Sequence, residues 1–468
     1  MDAKLLVEKY KDQMIEDLIG LLKINSVKGE STNEAPLGQG PKEALSYMLE
    51  LGQKENLTTK NIENLAGHIE FGQGDKIFGI LGHVDVVPAG NGWTSDPFEP
   101  IIKNGNIYAR GVQDDKGPTM AAFYALKILE NEGYHFNQRV RLIIGTDEES
   151  DWTCTKAYFK SEEMPHAGFS PDAEFPVIHG EKGMTTFNLV QTKIDNEFID
   201  GDIQLKAFVS GERYNMVPDT AEAKLNVLTN MSAVIQSFEG FIRETGHKGS
   251  YEIDRGFLNL QLNGQSAHGS TPEEGVNAGL ELLKFLTLLE LDPSGRKFVN
   301  FAADYIIDNF KGDQFKMNYS HEEMGEVSVN TGIINYTEVD GGEFGVNLRY
   351  PIGFDFDSGI EQYKEAIQDE GFTVEDITNQ DAHYVDKNDP LVQTLLESYR
   401  SHVDDDREAF TIGGGTYART LERGVAFGAM FKDTEDSMHQ RDEHMAIDEL
   451  LLATTIYLEA LYRLTVNE

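Results

Sequence analysis

Cysteine and proline are scarce in this sequence. Its 468 residues include one cysteine and 14 prolines, beside 45 glycines and 40% hydrophobic residues. The single thiol, Cys154, cannot form an intramolecular disulfide, so nothing indicates an oxidising compartment, and we interpret Cys154 as a structural thiol. This composition excludes fibrous and disordered classes and predicts a folded chain of two large domains or three average ones.

Positive charge is also scarce. The chain has 40 Lys and Arg residues against 80 Asp and Glu residues, a formal net charge of −40. Binding to nucleic acid or to an anionic membrane depends on Lys and Arg, so we predict neither as a partner. Most of the acidic excess is interpreted as solvated surface, while divalent cations remain suitable partners.

Long hydrophobic runs are absent as well. No apolar stretch approaches the roughly 20 residues that a helix needs to cross a bilayer. The N-terminal segment has charges scattered through an amphipathic helical period, unlike the apolar core of a signal peptide. We therefore expect a soluble, cytoplasmic protein that is a monomer or a weak homo-oligomer.

The two ends of the chain alternate between strand and helix patterns. Dense apolar runs at 77–87 and 140–146 predict buried strands, and a third short strand ends at 168–172. A helical period at 117–132 separates the first two runs, and a βα rhythm returns after residue 383. This alternation predicts an α/β fold with a mainly parallel sheet.

The middle of the chain has a different pattern. Between 185 and 382, strands alternate in period two, which predicts an antiparallel sheet with helices on one face. The order of strands, helix and strands occurs twice there, so a duplicated unit is one hypothesis. We predict a catalytic domain formed by 1–184 and 383–468, interrupted by an inserted α+β lid domain at 185–382. The helical stretches of the insert are predicted at 231–245, 276–291, 296–310 and 357–370.

Acidic residues and one histidine follow the predicted buried strands. Ligands bind at the carboxyl ends of strands in open α/β sheets, so these side chains are expected to meet at one edge. Their mutual repulsion would be resolved by divalent cations. The candidates are His83, Asp85, Asp114, Glu148, Glu149 and Asp172.

The spacing of these residues fits metal chemistry, although each has an ordinary explanation by itself. His83 and Asp85 point to the same side of a strand, so the carboxylate can accept the second imidazole N–H. Adjacent Glu148 and Glu149 diverge, so one can bind metal while the other takes a proton. His439, taken alone, would be an ordinary surface histidine. Together, the two histidines and the carboxylates form a ligand mixture that suits zinc, or manganese or cobalt.

Ten ordered motifs across nearly the whole chain resemble one family. The sequence is similar to the co-catalytic metallopeptidases that include aminoacylase, carboxypeptidase G and acetylornithine deacetylase, and within them to the PepV-type dipeptidases of Gram-positive bacteria. The motifs are GHVDVVPAGNGW, ARGVQDDKGP, GTDEESDW, FSPDAEFP, NMVPD, GQSAHGSTP, NLRYP, IGGGTYAR, ERGVAFGA and MHQ.

The resemblance implies two divalent metal ions per chain, with zinc expected and manganese or cobalt as alternatives. His83 and Asp172 would bind one ion, Glu149 and His439 the other, and Asp114 would bridge them. The peptide bond between Asp114 and the following residue would be cis.

The resemblance also implies catalytic and substrate-binding roles. Glu148 would be the general base for a water that bridges the metals, Asp85 would orient His83, and His268 of the lid would stabilise the oxyanion. Lid closure would require hinges near 184 and 383. The substrate's C-terminal carboxylate would be held by Asn215, Arg349, Gly413, Gly414 and Gly415.

These roles predict a dipeptidase acting on unblocked dipeptides, with Xaa-His and β-alanyl dipeptides among them. The alternative within the same family is an N-acyl-amino-acid deacylase or related amidohydrolase. Asp at 172, where some members carry Glu, argues against a carboxypeptidase. Two alternatives come from other functional classes. The glycine-rich IGGGTYAR could bind phosphate in a nucleotide-binding module, but it lacks the lysine of a P-loop. The chain could also be a non-catalytic metal-binding protein, but Glu148 would then have no role.

Overall fold

The computed structural model describes residues 1–192 and 202–466. Its helices follow the chain in order. They are α1 (Ala3–Leu22), α2 (Gln39–Lys54), α3 (Lys116–Asn131), α4 (Thr153–Ser161), α5 (Met231–Thr245), α6 (Ala278–Leu286), α7 (Pro293–Phe301), α8 (Phe356–Ile367), α9 (Pro390–Arg400) and α10 (Ile447–Thr465). Among the residues described, no helix is both long and apolar enough to cross a membrane.

The strands vary from two residues to ten. Those before residue 182 are β1 (Thr58–Ile62), β2 (Ala66–Phe71), β3 (Ile77–His83), β4 (Ile101–Lys103), β5 (Asn106–Tyr108), β6 (Arg139–Gly145), β7 (Ala167–Ser170), β8 (Ala173–Glu174) and β9 (Ile178–Glu181). Those after it are β10 (Gly183–Gln191), β11 (Ile203–Ser210), β12 (Thr220–Val227), β13 (Lys248–Asp254), β14 (Phe257–Asn263), β15 (Ser320–His321), β16 (Gly325–Glu326), β17 (Ser328–Thr337), β18 (Gly341–Tyr350), β19 (Phe372–Gln380), β20 (His383–Tyr384), β21 (Phe410–Ile412), β22 (Gly424–Ala426), β23 (Ala429–Met430) and β24 (His444–Ala446).

The chain divides into two compact units. The first unit comprises residues 1–180 and 384–468, and the second unit comprises 181–383. The second unit begins four residues before the boundary expected from the sequence and ends one residue after it. Each unit has its own hydrophobic core.

The first unit is built on a mixed sheet. Its main strand order is β1-β2-β6-β3-β7-β22-β9-β20. The central strands β6, β3, β7 and β22 are parallel, whereas β1, β2 and β9 run antiparallel to their neighbours. The sequence pattern identifies the buried parallel centre and does not identify the antiparallel strands at its edges.

Helix α3 is buried along most of its length. It packs against β3 and against the helices α1 and α10, and every residue from Lys116 to Leu129 is buried. A helix that is apolar on all sides is favoured only in such a layer. Its N-terminus therefore has a fixed position relative to the end of β3.

The second unit contains an eight-stranded antiparallel sheet. Its order is β13-β14-β12-β11-β17-β18-β10-β19, with β11 and β17 pairing at the centre. Strands such as β12 alternate between exposed and buried residues, as expected when only one face of a sheet is covered. Three strands lie on each side of the β11–β17 pair.

Some helix bounds differ from the expectation because capping decides them. The stretch predicted at 276–291 is helical only from Ala278 to Leu286. The stretch predicted at 296–310 begins earlier, since Asp292 accepts the Gly295 N–H and Pro293 occupies the first turn; this is a favoured helix start. The α-helix ends at Phe301 and continues as a wider turn to Ile306.

Candidate metal centre

Three parallel strands deliver the candidate ligands to one edge of the sheet of the first unit. β3 pairs with β6 on one side and β7 on the other. His83 is the last residue of β3 and lies level with the last residue of β6. Glu148 and Glu149 follow β6 closely, and Asp172 follows β7. The candidate ligands His83, Glu148, Glu149 and Asp172 therefore lie at the carboxyl ends of neighbouring strands, as expected from the sequence.

Hydrogen bonds connect the end of β3 to the start of α3. The His83 backbone N–H donates to Asp115 Oδ2 at 3.1 Å, and the Thr119 hydroxyl donates to the same oxygen at 2.8 Å. A Cβ atom on Gly82 would lie 2.0 Å from Thr119 Oγ1, so this close approach requires glycine. The Asp114–Asp115 peptide bond is cis, which confirms the expectation from the resemblance.

Asp114 lies between the two histidines. Its Oδ1 is 2.9 Å from His83 Nε2, and its Oδ2 is 2.9 Å from His439 Nε2. The His439 nitrogen is also 3.1 Å from Glu149 Oε1. One carboxylate thus presents a different oxygen to each imidazole, which is the arrangement expected of a ligand shared by two cations.

The remaining carboxylates complete two groups that can hold a cation. Donor atoms of His83, Asp114 and Glu149 lie within 4.8 Å of one another, and so do those of His83, Glu148 and Asp172. The carboxylates around the two histidines are called the carboxylate cluster below. The cluster consists of Asp85, Asp114, Glu148, Glu149 and Asp172.

Burial makes negative charge unfavourable in this cluster. It raises the pKa of Glu148 well above its ordinary value, and the neighbouring carboxylate of Glu149 adds to the effect. Burial likewise raises the pKa of Asp172, with Asp114 contributing. The cluster therefore favours an uptake of positive charge.

The pKa values of the two histidines are raised as well, which favours their positively charged form. Hydrogen bonds to Asp114 and Glu149 raise the pKa of His439 to about 11. For His83, burial lowers the pKa, but hydrogen bonds to Asp114 and Asp85 outweigh it and raise the pKa well above normal. Positive charge placed between these groups is stabilised whether it is carried by protons or by metal cations.

The donor set fits divalent cations. Within residues 1–192 and 202–466, every ion pair of the carboxylate cluster is with His83 or His439, so lysine and arginine do not neutralise it. Imidazole nitrogen combined with carboxylate oxygen is a donor set for zinc, manganese or cobalt. The residues present are therefore suited to hold the two ions that the resemblance implies.

Asp85 contacts both sides of the centre. His83 Nδ1 lies 3.1 Å from the Asp85 backbone oxygen and 3.3 Å from its Oδ1. The other carboxylate oxygen accepts the Glu149 N–H at 3.1 Å. The backbone carbonyl thus takes part in orienting the imidazole, a contact that the sequence argument assigned to the carboxylate alone.

Sequence reasoning missed Asp147, which holds the loop that carries Glu148 and Glu149. Its buried carboxylate accepts the Thr153 N–H at 2.9 Å and pairs with Lys28 at 3.2 Å. The sequence does contain a sign of Asp147, because it is the first of three consecutive acidic residues. Only burial shows that this first acid has a structural role.

Three predicted substrate-binding or catalytic residues belong to the second unit. His268 and Asn215 are exposed, and Arg349 is buried. The Gly269 N–H donates to the Asn215 backbone oxygen at 2.8 Å, so the residue after His268 contacts Asn215. Partial burial together with the charge of Arg349 lowers the pKa of His268. The structure therefore brings these three residues to one region of that unit.

The glycine loop lies beside the metal centre in the first unit. Gly413, Gly414 and Gly415 follow β21, and Tyr417, just after them, packs its ring 6.2 Å from that of His83. The loop leads into a single 3₁₀ turn, Tyr417–Thr420, rather than an α-helix. The βα rhythm expected at this point is therefore interrupted, and no helix dipole supports anion binding there.

Comparison with known proteins gives one consistent family. Residues 79–463 match the family described as Peptidase family M20/M25/M40. A Staphylococcus saprophyticus protein named "Putative dipeptidase SSP1012" is 50% identical over 464 residues, covering 99% of both chains. A Staphylococcus aureus protein named "Putative dipeptidase MW1694" is 52% identical over the same length and coverage.

Solved structures share the fold at low sequence identity. Aminoacylhistidine dipeptidase from Vibrio alginolyticus is 14% identical, with a TM-score of 0.58 and coverage of 97% of both chains. The di-peptidase Dug1p from Saccharomyces cerevisiae is 13% identical, with a TM-score of 0.57 and coverage of 99% of this chain and 98% of that one. These likenesses show that the chain shares the fold of these two structures.

Proposed function

The chain belongs to peptidase family M20/M25/M40 and is a metallopeptidase, and from this premise we propose that it hydrolyses the peptide bond of unblocked dipeptides. Full-length relatives that are 50% and 52% identical carry the name dipeptidase, which supports a small peptide as the substrate. The inclusion of Xaa-His and β-alanyl dipeptides follows the sequence resemblance.

One observation carries the proposal of a dinuclear site. The two oxygens of Asp114 each lie 2.9 Å from a different imidazole. In the proposed site Asp114 is shared, His83 and Asp172 hold one cation, and Glu149 and His439 hold the other. When bound, the two cations supply Lewis acidity to the scissile carbonyl and acidify the attacking water.

Glu148 is the proposed general base. Its carboxylate lies within 4.8 Å of donor atoms of His83 and Asp172, so a water beside those residues is within its reach. Glu148 takes the proton of that water and later delivers it to the leaving amine. Asp85 keeps the His83 ring in one orientation through the contacts at Nδ1.

The remaining roles rest on the resemblance. His268 donates to the oxyanion that develops on the scissile carbonyl. The carboxylate at the C-terminal end of the dipeptide is recognised by positive charge and by donor groups, which are Asn215, Arg349, Gly413, Gly414 and Gly415.

The substrate class is tested with a matched pair of compounds. One free dipeptide and its N-acetylated twin are incubated with the chelator-treated protein and again after zinc, manganese or cobalt is added back. We expect cleavage of the free dipeptide only, and only with metal. Preference for the acetylated twin would favour a deacylase, and turnover in chelator would contradict the metal site.

The base is tested by Glu148→Gln, which removes the proton acceptor and keeps the side-chain size. Loss of a general base costs roughly 100- to 10,000-fold in rate. We expect kcat to fall in that range while the bound metal, counted by atomic emission, stays at two ions per chain. Glu130→Gln, on the exposed end of α3, is the control, and unchanged turnover in Glu148→Gln would remove this residue as the base.

A further inference from the structure

A buried glutamate that sequence reasoning did not single out joins two segments of the metal centre. Glu443 has 0% of its surface exposed and follows His439 by four residues. We call residues 435–443 the His439 segment and residues 109–114 the Asp114 loop. The two segments supply the histidine and the carboxylate that meet at 2.9 Å.

Among the residues that the structure describes, every hydrogen bond and ion pair of the Glu443 carboxylate is with the Asp114 loop. Oε1 accepts the N–H groups of Gln113 at 2.8 Å and of Asp114 at 3.2 Å. Oε2 accepts the Gly111 N–H at 2.8 Å and pairs with Arg110 Nη1 at 2.8 Å. One side chain therefore satisfies three backbone donors and one guanidinium of the same loop.

Gln113 makes the reciprocal connection. Its Nε2 donates to the Glu435 backbone oxygen at 3.0 Å. Its Oε1 accepts the Ser437 N–H at 2.9 Å and the Ser437 hydroxyl at 3.0 Å. The Asp114 loop thus holds the His439 segment, just as Glu443 of that segment holds the loop.

We propose that Glu443 is a positioning residue of the metal centre, which fixes the Asp114 loop against the His439 segment so that Asp114 can be shared by two cations. This inference rests on the proposed function, because it presupposes a dinuclear site. Asp114 and His439 are 325 residues apart in the chain, so their separation depends on contacts between the two segments. Side chains that form hydrogen bonds with metal-ligating residues affect the metal affinity of proteins.

Glu443→Gln isolates this role. The amide keeps the volume of the carboxylate, but one of its two ends becomes a donor and must face the N–H groups of the loop. A matched control is Glu162→Gln, which also removes a buried carboxylate of the first unit, paired with Arg141 at 3.4 Å. Glu162 makes no contact with the carboxylate cluster among the hydrogen bonds and ion pairs of the described residues.

Cobalt is titrated into the chelator-treated full-length chain and both variants, with calorimetry for the dissociation constants and visible absorption for the ligand geometry. We expect Glu443→Gln to weaken binding of at least one ion by roughly 10- to 100-fold and to change the cobalt spectrum. Glu162→Gln is expected to lower the melting temperature while leaving both dissociation constants and the spectrum as in the wild-type chain.

Each other outcome has a defined meaning. If Glu443→Gln binds cobalt like the wild-type chain and only melts earlier, this inference is wrong and the proposed function is untouched. If the wild-type chain binds no cobalt, zinc or manganese, both are wrong. Should Glu443→Gln fail to fold, Gln113→Ala replaces it: weaker cobalt binding supports the inference, and unchanged binding overturns it.

Discussion

At the scale of single residues, different surroundings shift the pKa values of two histidines in opposite directions. His439 lies between two carboxylates, and its pKa rises to about 11. His68, on β2, is buried and close to the positive charge of Arg141, and these two effects lower its pKa to about 4. The Tyr158 oxygen lies 2.7 Å from His68 Nδ1, a distance at which a neutral imidazole nitrogen can accept the hydroxyl hydrogen.

His68 makes the stability of the first unit depend on pH. Its pKa of about 4 in the folded protein lies below the ordinary histidine value of 6.5, so below pH 6.5 the unfolded chain binds the proton first. The free energy of unfolding therefore falls as the pH drops from 6.5 towards 4, by about 2 kcal/mol at pH 5. His68→Asn, which keeps an acceptor for Tyr158, is expected to lose this dependence.

The measurement is the denaturant midpoint of wild type and His68→Asn near neutral pH and near pH 5. The exposed His135→Asn serves as the control, because it changes a histidine without a buried partner hydroxyl. Equal losses of stability on acidification in wild type and His68→Asn would show that His68 does not carry this effect.

At the scale of elements, strands place the functional loops and buried polar side chains hold them. Asn330 of β17 is 1% exposed and donates to the backbone oxygens of Tyr214 at 2.7 Å and Met216 at 2.8 Å. These two carbonyls flank Asn215, and Met216 forms an isolated bridge with His268. One amide thus holds the loop that carries Asn215, and this loop in turn pairs with the segment that carries His268.

Asn330→Ala is expected to loosen that loop. Because two carbonyls lose their donors, we expect the second unit to be destabilised by about 1–3 kcal/mol. Hydrogen exchange of the Gly269 amide, which bonds to the Asn215 oxygen, should become faster. Asn335→Ala, on the same strand and half-buried, is the control; identical exchange at Gly269 in both variants would contradict the assignment.

At the scale of the whole molecule, the two units differ in how the chain forms them. The second unit is one continuous segment with its own core. The first unit joins two segments, and its core includes residues from both. The proposed metal ligands all lie in the first unit, so metal binding should stabilise that unit directly.

Metal removal is therefore expected to affect the two units unequally. A cation present at 100 times its dissociation constant adds about 2.7 kcal/mol to the unit that binds it. Scanning calorimetry of the full chain should show one transition that moves to lower temperature in chelator and one that does not. Equal shifts of both transitions would contradict a site confined to the first unit.

A separate chain of residues 181–383 provides the control for that assignment. Since it is continuous and has its own core, we expect it to fold and to melt at the same temperature with and without chelator. A melting temperature that rises with added zinc would place a cation site in the second unit.

The sequence indicates those features that depend on local pattern. The apolar run at 140–146 corresponds to β6, and the helical period at 231–245 corresponds to α5. Period and turn chemistry are properties of neighbouring residues, which is why such elements can be found from the sequence. The strand-end rule places His83, Asp172 and the Glu148–Glu149 pair at one edge because it too depends on short stretches of chain.

Only the tertiary structure decided the contacts between distant segments. Arg110 and Glu443 pair across 333 residues, and no local pattern distinguishes Glu443 from the many solvated acids of a chain with net charge −40. By itself, the sequence determined the fold class, the family and the candidate ligands. Which acids are buried, and which hold a ligand in place, depends on the packing of segments that the sequence does not place together.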